Sequence, residues 1–330
     1  MTQIDQAWGS GPSSRYEDLA EPFRPLFRSI KDTAVARDLE RRLPYDEIKA
    51  LRAAGFTTVR VPDEFGGAGA TLPELFNLLI ELSEADSNVT NSLRSHFGFT
   101  EDVLNSADPK RRELWLRRIG EKTLFGNGHS EVGDNKLQAF STTVSSKDGQ
   151  LVLNGRKYYT TGTLFADWIN IAAQHENGEP VGVVVSRHSP GVEVLDDWDG
   201  FGQALTASGT TIFKDVPVEG NQVIPVTARF KYSNPFYQLV HLATLAGIGR
   251  AAANDVAHLV KQRTRVFSHG NADRVAADPQ ILQVVGRVRG NAYAAGAIVL
   301  KVAEALQRAH ESQLSQDRSE ERRVGKECRS

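Results

Sequence analysis

Seven side chains in this sequence have the functional groups and settings to do chemistry. His96 lies on a helical stripe with Val89, Leu93, Phe97 and Thr100. A histidine there is by default a satisfied core or interface residue, and otherwise a proton donor or acceptor near neutral pH. Asn127, Ser130 and Thr161 carry amide and hydroxyl groups in or beside short β-prone runs, where such groups satisfy turns unless a ligand takes them. Tyr159, on its own, reads as strand core. Trp198 does not, because Asp196-Asp197-Trp198-Asp199-Gly200 is an acidic, glycine-flanked loop. Arg265 reads either as a solvated helix arginine or as a cation for an anionic ligand. Arg263, two positions earlier, cannot share its helix face, since each residue turns the helix by about 100°.

The elements that position these groups follow from composition and pattern. A 330-residue chain with 40% apolar and 24% charged residues is globular, with room for two domains or one large layered unit. Its net charge of −2 recommends neither nucleic acid nor an anionic membrane as partner. Cys328 is the single cysteine, which excludes internal disulfides, cysteine-ligated zinc and a buried nucleophilic thiol. Residues 1–14 have no apolar core for a signal peptide, and no apolar run approaches a membrane span. A soluble cytoplasmic protein is expected.

Three blocks succeed one another: helical, strand-rich, helical. In the first, Phe23, Leu26, Phe27 and Ile30 repeat at helical spacing, and Gly55 is placed to cap the helix carrying Ile48 and Leu51. Thr71-Leu72-Pro73-Glu74 is a capping-box pattern, and Asp108-Pro109 starts another helix. From about Leu124, short β-prone runs flank Lys147-Asp148-Gly149-Gln150, a hairpin signal, and Asn154-Gly155 reads as a second turn. This block predicts a small antiparallel barrel or sandwich. From about Pro235, apolar spacing predicts one helix over 239–267, and Asp278-Pro279 opens another reaching Leu306. The expected division is a disordered 1–19, an N-terminal helical domain over 20–122, a middle β domain over 123–228, a partial C-terminal helical bundle over 229–312, and a disordered or non-native 313–330.

Four strings, in order, give the chain a resemblance. Leu51-Arg52-Ala53-Ala54-Gly55-Phe56 running to Val61-Pro62-Asp63-Glu64-Phe65-Gly66-Gly67, then Leu153-Asn154-Gly155-Arg156-Lys157-Tyr158-Tyr159-Thr160-Thr161-Gly162, then Ala207-Ser208-Gly209-Thr210-Thr211, then Ala246-Gly247-Ile248-Gly249-Arg250 resemble segments of the acyl-CoA dehydrogenase family. The resemblance implies that fold: helical domain, middle β domain, helical bundle. Asn127-Gly128-His129-Ser130-Glu131 and Asp196-Asp197-Trp198 resemble the family's reduced-flavin-dependent, dibenzothiophene monooxygenase-like branch, which includes sulfone- and sulfonate-linked enzymes. The dehydrogenases' arginine-x-glutamine-phenylalanine-glycine signature is replaced here by Thr264-Arg265-Val266-Phe267-Ser268.

By that resemblance, Ser130 and Thr161 hydrogen-bond a flavin ring, Asn127 lines it, Tyr159 stands where dehydrogenases place a tryptophan against it, and Trp198 closes over it. Arg265 matches the arginine that holds the flavin phosphate. His96 matches a histidine near the reactive edge, and with Asn127 and Thr161 it forms the expected catalytic set. The implied activity is a two-component monooxygenase that takes reduced FMN from a separate flavin reductase and uses O2 on a small organosulfur-type substrate. A dehydrogenase with bound FAD is the alternative. At the helical place where dehydrogenases carry a catalytic glutamate, this sequence has Val240, with Gln238 and His241 beside it. The family pattern stops near His310, so the chain is expected to be truncated. That makes an inactive flavin-fold subunit a third reading, and self-association, tetrameric in the family, is the expected cover for the bundle.

Overall fold

The computed structural model describes residues 8–132, 140–225 and 229–312. The first helices are α1 (Tyr16–Ala20), α2 (Arg24–Leu39), α3 (Tyr45–Ala53), α4 (Leu72–Ala85), α5 (Ser87–Leu104) and α6 (Pro109–Gly120). Local chemistry sets their ends as the sequence predicts. The Thr71 hydroxyl accepts from the Glu74 amide at 3.4 Å while the Glu74 carboxylate accepts from the Thr71 amide at 2.7 Å, and Asp108 caps α6 through the Lys110 amide.

Residues 8–19, expected to lack order, are held. Tyr16 is fully buried with its hydroxyl on Glu81, and Arg15 grips Glu74 and the Ala68 and Gly69 carbonyls. A polar, glycine-containing stretch gave no sign of these long-range partners. The expected disorder of 1–7 and 313–330 lies outside the described residues.

The strands β1 (Phe125–Gly128), β2 (Thr143–Lys147), β3 (Gln150–Lys157), β4 (Trp168–His175), β5 (Pro180–Ser186), β6 (Val192–Val194), β7 (Thr211–Val218) and β8 (Val223–Pro225) form one sheet in the order β6-β7-β3-β2-β4-β5-β8. One part of the expectation is corrected: the pairing is mixed, not purely antiparallel. Both β1 and β2 pair parallel to β4, β1 along Trp168–Ile171 and β2 at Gln174 and His175, so two short strands share one edge end to end. The hairpin signal holds, with Lys147 opposite Gln150 and Asp148 and Gly149 both at positive φ. Asn154-Gly155 is not a turn. Gly155, at φ +148°, makes a bulge inside β3 where a Cβ would stand 2.5 Å from Thr142.

Helices α7 (Ser233–Gln262) and α8 (Pro279–Glu311) pack against each other, and α7 also crosses α4 and α5. Gly247 permits the crossing, since a Cβ there would lie 2.3 Å from that of Ser83. The predicted helix over 239–267 ends at Gln262, because Arg263 turns extended; the apolar spacing ran on past the backbone's own stop. Phe76, Leu79 and Leu82 of α4 join Phe236, Leu239 and Ala243 of α7 in one core, and the sheet has its own around Ile171, Val183 and Phe213. No described helix is long and apolar enough to cross a membrane.

Candidate functional site

The site forms where β1 leaves the sheet and meets the segment after β3. The Ser130 carbonyl accepts from the Tyr158 amide at 3.0 Å, and the Asn127 carbonyl accepts from the Thr163 hydroxyl at 3.1 Å. Gly162, at φ +76°, lets this segment press on α5, since a Cβ would stand 2.1 Å from the Ser92 carbonyl oxygen. Thr161 is buried, and its hydroxyl shares a 2.8 Å hydrogen bond with Ser208, which in turn bonds Thr206 at 2.7 Å. The Ser95 hydroxyl of α5 donates to the Thr161 carbonyl at 3.4 Å.

Tyr159 is half exposed and sits at φ +61°, a conformation that costs a bulky residue free energy. Its ring meets Trp198 at 5.8 Å and Tyr158 at 4.7 Å between centroids, an aromatic wall rather than strand core. The Trp198 indole donates to the Gln203 carbonyl at 2.9 Å, and its loop is tied to the helical block by Arg41, which holds Asp196 at 2.8 Å and the Trp198 carbonyl at 2.9 Å.

The fold thus sets the chain around Asn127 and Ser130 against the segment that carries Tyr159 and Thr161, and Tyr159 in turn meets Trp198. His96 lies behind them, fully buried under β1 and stacked on Phe125. Its Nε2 lies 2.7 Å from the Thr57 carbonyl, and its Nδ1 accepts from the Phe125 amide at 3.4 Å. A carbonyl can only accept, so the proton is on Nε2. Burial pulls the imidazole down to about 4, which keeps it neutral. With both ring nitrogens on backbone, this is the geometry of a core histidine, not of a catalytic one.

Arg265 is exposed in the α7–α8 connection, its guanidinium 5.9 Å from the Phe267 ring, and Arg263 reaches the same ring at 5.3 Å. The helix-face argument separating them fails because neither is helical. Arg265 makes no described contact with the other site residues.

Sequence reasoning gave no role to the ion pair beneath the site. The Lys157 ammonium, fully buried, meets Glu131 at 2.6 Å, and Glu131 also accepts from the Ser141 and Thr142 amides at 2.6 and 3.0 Å. Burial alone would raise the Glu131 carboxyl, but these donors outweigh it and hold it down near about 2. The sequence carried no signal for it, since Lys157 closes β3 after the polar run Asn154-Gly155-Arg156. Among the described residues, no cluster could hold a metal ion.

Family models for the acyl-CoA dehydrogenase N-terminal and middle domains match residues 17–123 and 129–216. The chain belongs to the acyl-CoA dehydrogenase family. A dibenzothiophene monooxygenase of Mycolicibacterium goodii is 27% identical over 94% of this chain and 78% of that protein. A probable FMNH2-dependent monooxygenase, SfnC, of Pseudomonas putida is 26% identical over 80% of this chain and 67% of that protein. Among solved structures, FMN-bound TdsC from Paenibacillus sp. A11-2 superposes with a TM-score of 0.82 at 25% identity, over 91% of this chain and 78% of that one.

The residues gathered here fit the flavin that the family implies. The Asn127 side-chain oxygen is buried without a partner, as expected of a group reserved for a ligand. The neighbouring segment carries the Thr161 hydroxyl and a half-exposed cluster of edge-to-face aromatic rings, Tyr159 against Trp198, and an isoalloxazine ring calls for polar contacts and an apolar face of this kind.

Proposed function

We propose that the chain is the oxygenase component of a two-component flavin monooxygenase, receiving reduced FMN from a separate reductase and acting on a small organosulfur substrate. The observation that carries this reading is the convergence of Asn127, Thr161, Tyr159 and Trp198, with the Asn127 amide oxygen left unpaired. At the place where a dehydrogenase needs a carboxylate to abstract a substrate proton, α7 has the buried, inert Val240. Reduced FMN held there would supply the two electrons that monooxygenation by O2 requires.

The protein's part is to bind, orient and exclude water. Asn127 and Thr161 would hold the polar edge of the ring, the Thr161 hydroxyl being steadied by its hydrogen bond to Ser208 and through it to Thr206. Tyr159 and Trp198 cover the ring face. His96 acts at one remove, holding the Phe125 amide and so the position of β1. Leu242, Leu245, Ile248 and Leu259 of α7 and Leu282, Val284 and Ile298 of α8 are outward-facing apolar residues, which supports self-association through the bundle.

Anaerobic calorimetry against reduced FMN and FAD tests the assignment, and reduced FMN is expected to bind more tightly. Tightly co-purifying FAD whose absorbance bleaches on adding an acyl-CoA would instead make the protein a dehydrogenase.

A further inference from the structure

Next to the proposed flavin site, α5 and α7 hold the half-buried guanidinium of Arg94, with which no carboxylate pairs among the described residues. On α5, Asn91, Arg94 and Gly98 fall on one face at spacings of three and four residues, and on α7 Tyr237 and His241 do the same. Arg94 Nη1 lies 2.8 Å from His241 Nε2. A guanidinium can only donate, so His241 Nε2 is the acceptor and the imidazole proton is on Nδ1. Histidine is thus a neutral partner, and burial followed by the Arg94 charge lowers its basicity further.

Gly98 makes room for Tyr237, whose hydroxyl oxygen would lie 2.3 Å from a Cβ at that position, so the phenol crosses α5 one turn beyond Arg94. Two polar atoms on this face are buried without a hydrogen-bond partner, Arg94 Nε and Asn91 Oδ1. Among the described residues no carboxylate forms an ion pair with Arg94, whereas Arg37 and Arg60 are paired with Glu47, Asp86 and Glu101. Burial lowers the Arg94 basicity, and Tyr237 is the group that opposes it.

A guanidinium withdrawn from water without a counterion is costly, and a bound anion would relieve that cost. The position is also right for substrate: Ser95, the next residue, bonds the Thr161 carbonyl, so the charge lies one helix face away from the proposed flavin site. We propose that Arg94, with His241, Tyr237 and Asn91 around it, is the subsite for an oxyanionic group on the substrate, a carboxylate, sulfinate or sulfonate. Arg94 Nε and a neighbouring Nη hydrogen form the two-pronged donor that such a head group accepts, and His241 Nδ1–H is a third donor. This deepens the monooxygenase reading by making its substrate a small organic anion rather than a neutral aromatic.

The test uses the full chain with no flavin added, and two isosteric probes at constant ionic strength: methanesulfonate, an anion, and dimethyl sulfone, which is neutral. Calorimetry and thermal shift should show methanesulfonate binding at least tenfold more tightly and raising the melting temperature. Arg94→Met should abolish that preference, and Arg94→Lys, which keeps the charge but not the fork, should retain part of it. Equal binding of the two probes to the wild-type chain, or an undiminished preference in Arg94→Met, overturns the proposal. Should Arg94→Met not fold, the wild-type comparison and Arg94→Lys decide. Failure of the monooxygenase reading is a separate result, seen as no binding of reduced FMN, and it leaves the anion preference standing or falling on its own.

Discussion

The junction of α2, α3 and α4 and the junction of α5 and α7 each set a guanidinium among helices, fully buried at the first and half-buried at the second, and they treat it differently. Arg37, fully buried, reaches Glu47 and Asp86 at 2.7 Å each, the Thr33 hydroxyl at 2.6 Å and the Ile30 carbonyl at 2.9 Å. Its Nε lacks a partner, but its charge is matched twice. Arg94 has one neutral histidine. A buried charge that closes on carboxylates of its own chain fixes helices in place. One left open holds its donors for something the chain does not supply.

The largest effect should come from breaking the closed site. Arg37→Met leaves Asp86 buried without its cation and Glu47 with only Arg42 at 3.8 Å, a loss of about 3 kcal/mol in denaturant unfolding. Arg94→Met, in the absence of ligand, should change stability by less than about 1 kcal/mol or increase it, because it removes an uncompensated charge. Equal losses at the two positions would show that Arg94 is structural and would dissolve the contrast.

His96 sharpens the same point through pH. Its folded pKa of about 4 lies below the ordinary 6.5, so the unfolded chain binds more protons between those values. Stability is therefore complete above about pH 6.5 and is lost as pH falls toward 4, by up to about 3 kcal/mol. A chain carrying His96→Gln should have a flatter stability profile across that window. Glu131, held near about 2 against an ordinary 4.5, adds a second loss as pH falls from 4.5 toward 2, of about 2 kcal/mol, which Glu131→Gln should remove.

The smallest stability effect belongs to the open side. Asn127→Ala should leave the melting temperature unchanged, because the side-chain oxygen has no partner to lose, yet weaken reduced FMN binding by about tenfold, one hydrogen bond's worth. A marked fall in melting temperature with unaltered FMN affinity would move Asn127 to the structural side.

What could be read from the sequence was local. Thr71, Asp108 and Asp278 mark helix starts, and Asp148-Gly149 marks a hairpin, because each satisfies backbone groups two or three residues away. The aromatic wall was half legible: the acidic loop put Trp198 outside any core, but only a positive φ at Tyr159 turns that ring to meet it. Non-local partners escaped. Nothing near His96 announces the Thr57 carbonyl, nothing near Lys157 announces Glu131, and Arg94 looked ordinary until α7 brought a histidine to it instead of an acid. The two strands sharing the edge of β4 were likewise invisible, since pairing across dozens of residues leaves no periodic trace.

That shared edge has a consequence for how such a scaffold diversifies. Because β1 stops and β2 begins partway along β4, the chain between them departs from mid-sheet, with the registers on either side pinned separately by Trp168–Ile171 and by Gln174 and His175. Residues added or removed between the two strands leave both registers intact, and a longer loop costs only a slowly growing closure entropy. The fold therefore carries an expansion joint directly beside Ser130 and Glu131, where descendants can lengthen or shorten the chain without renegotiating the sheet beneath it.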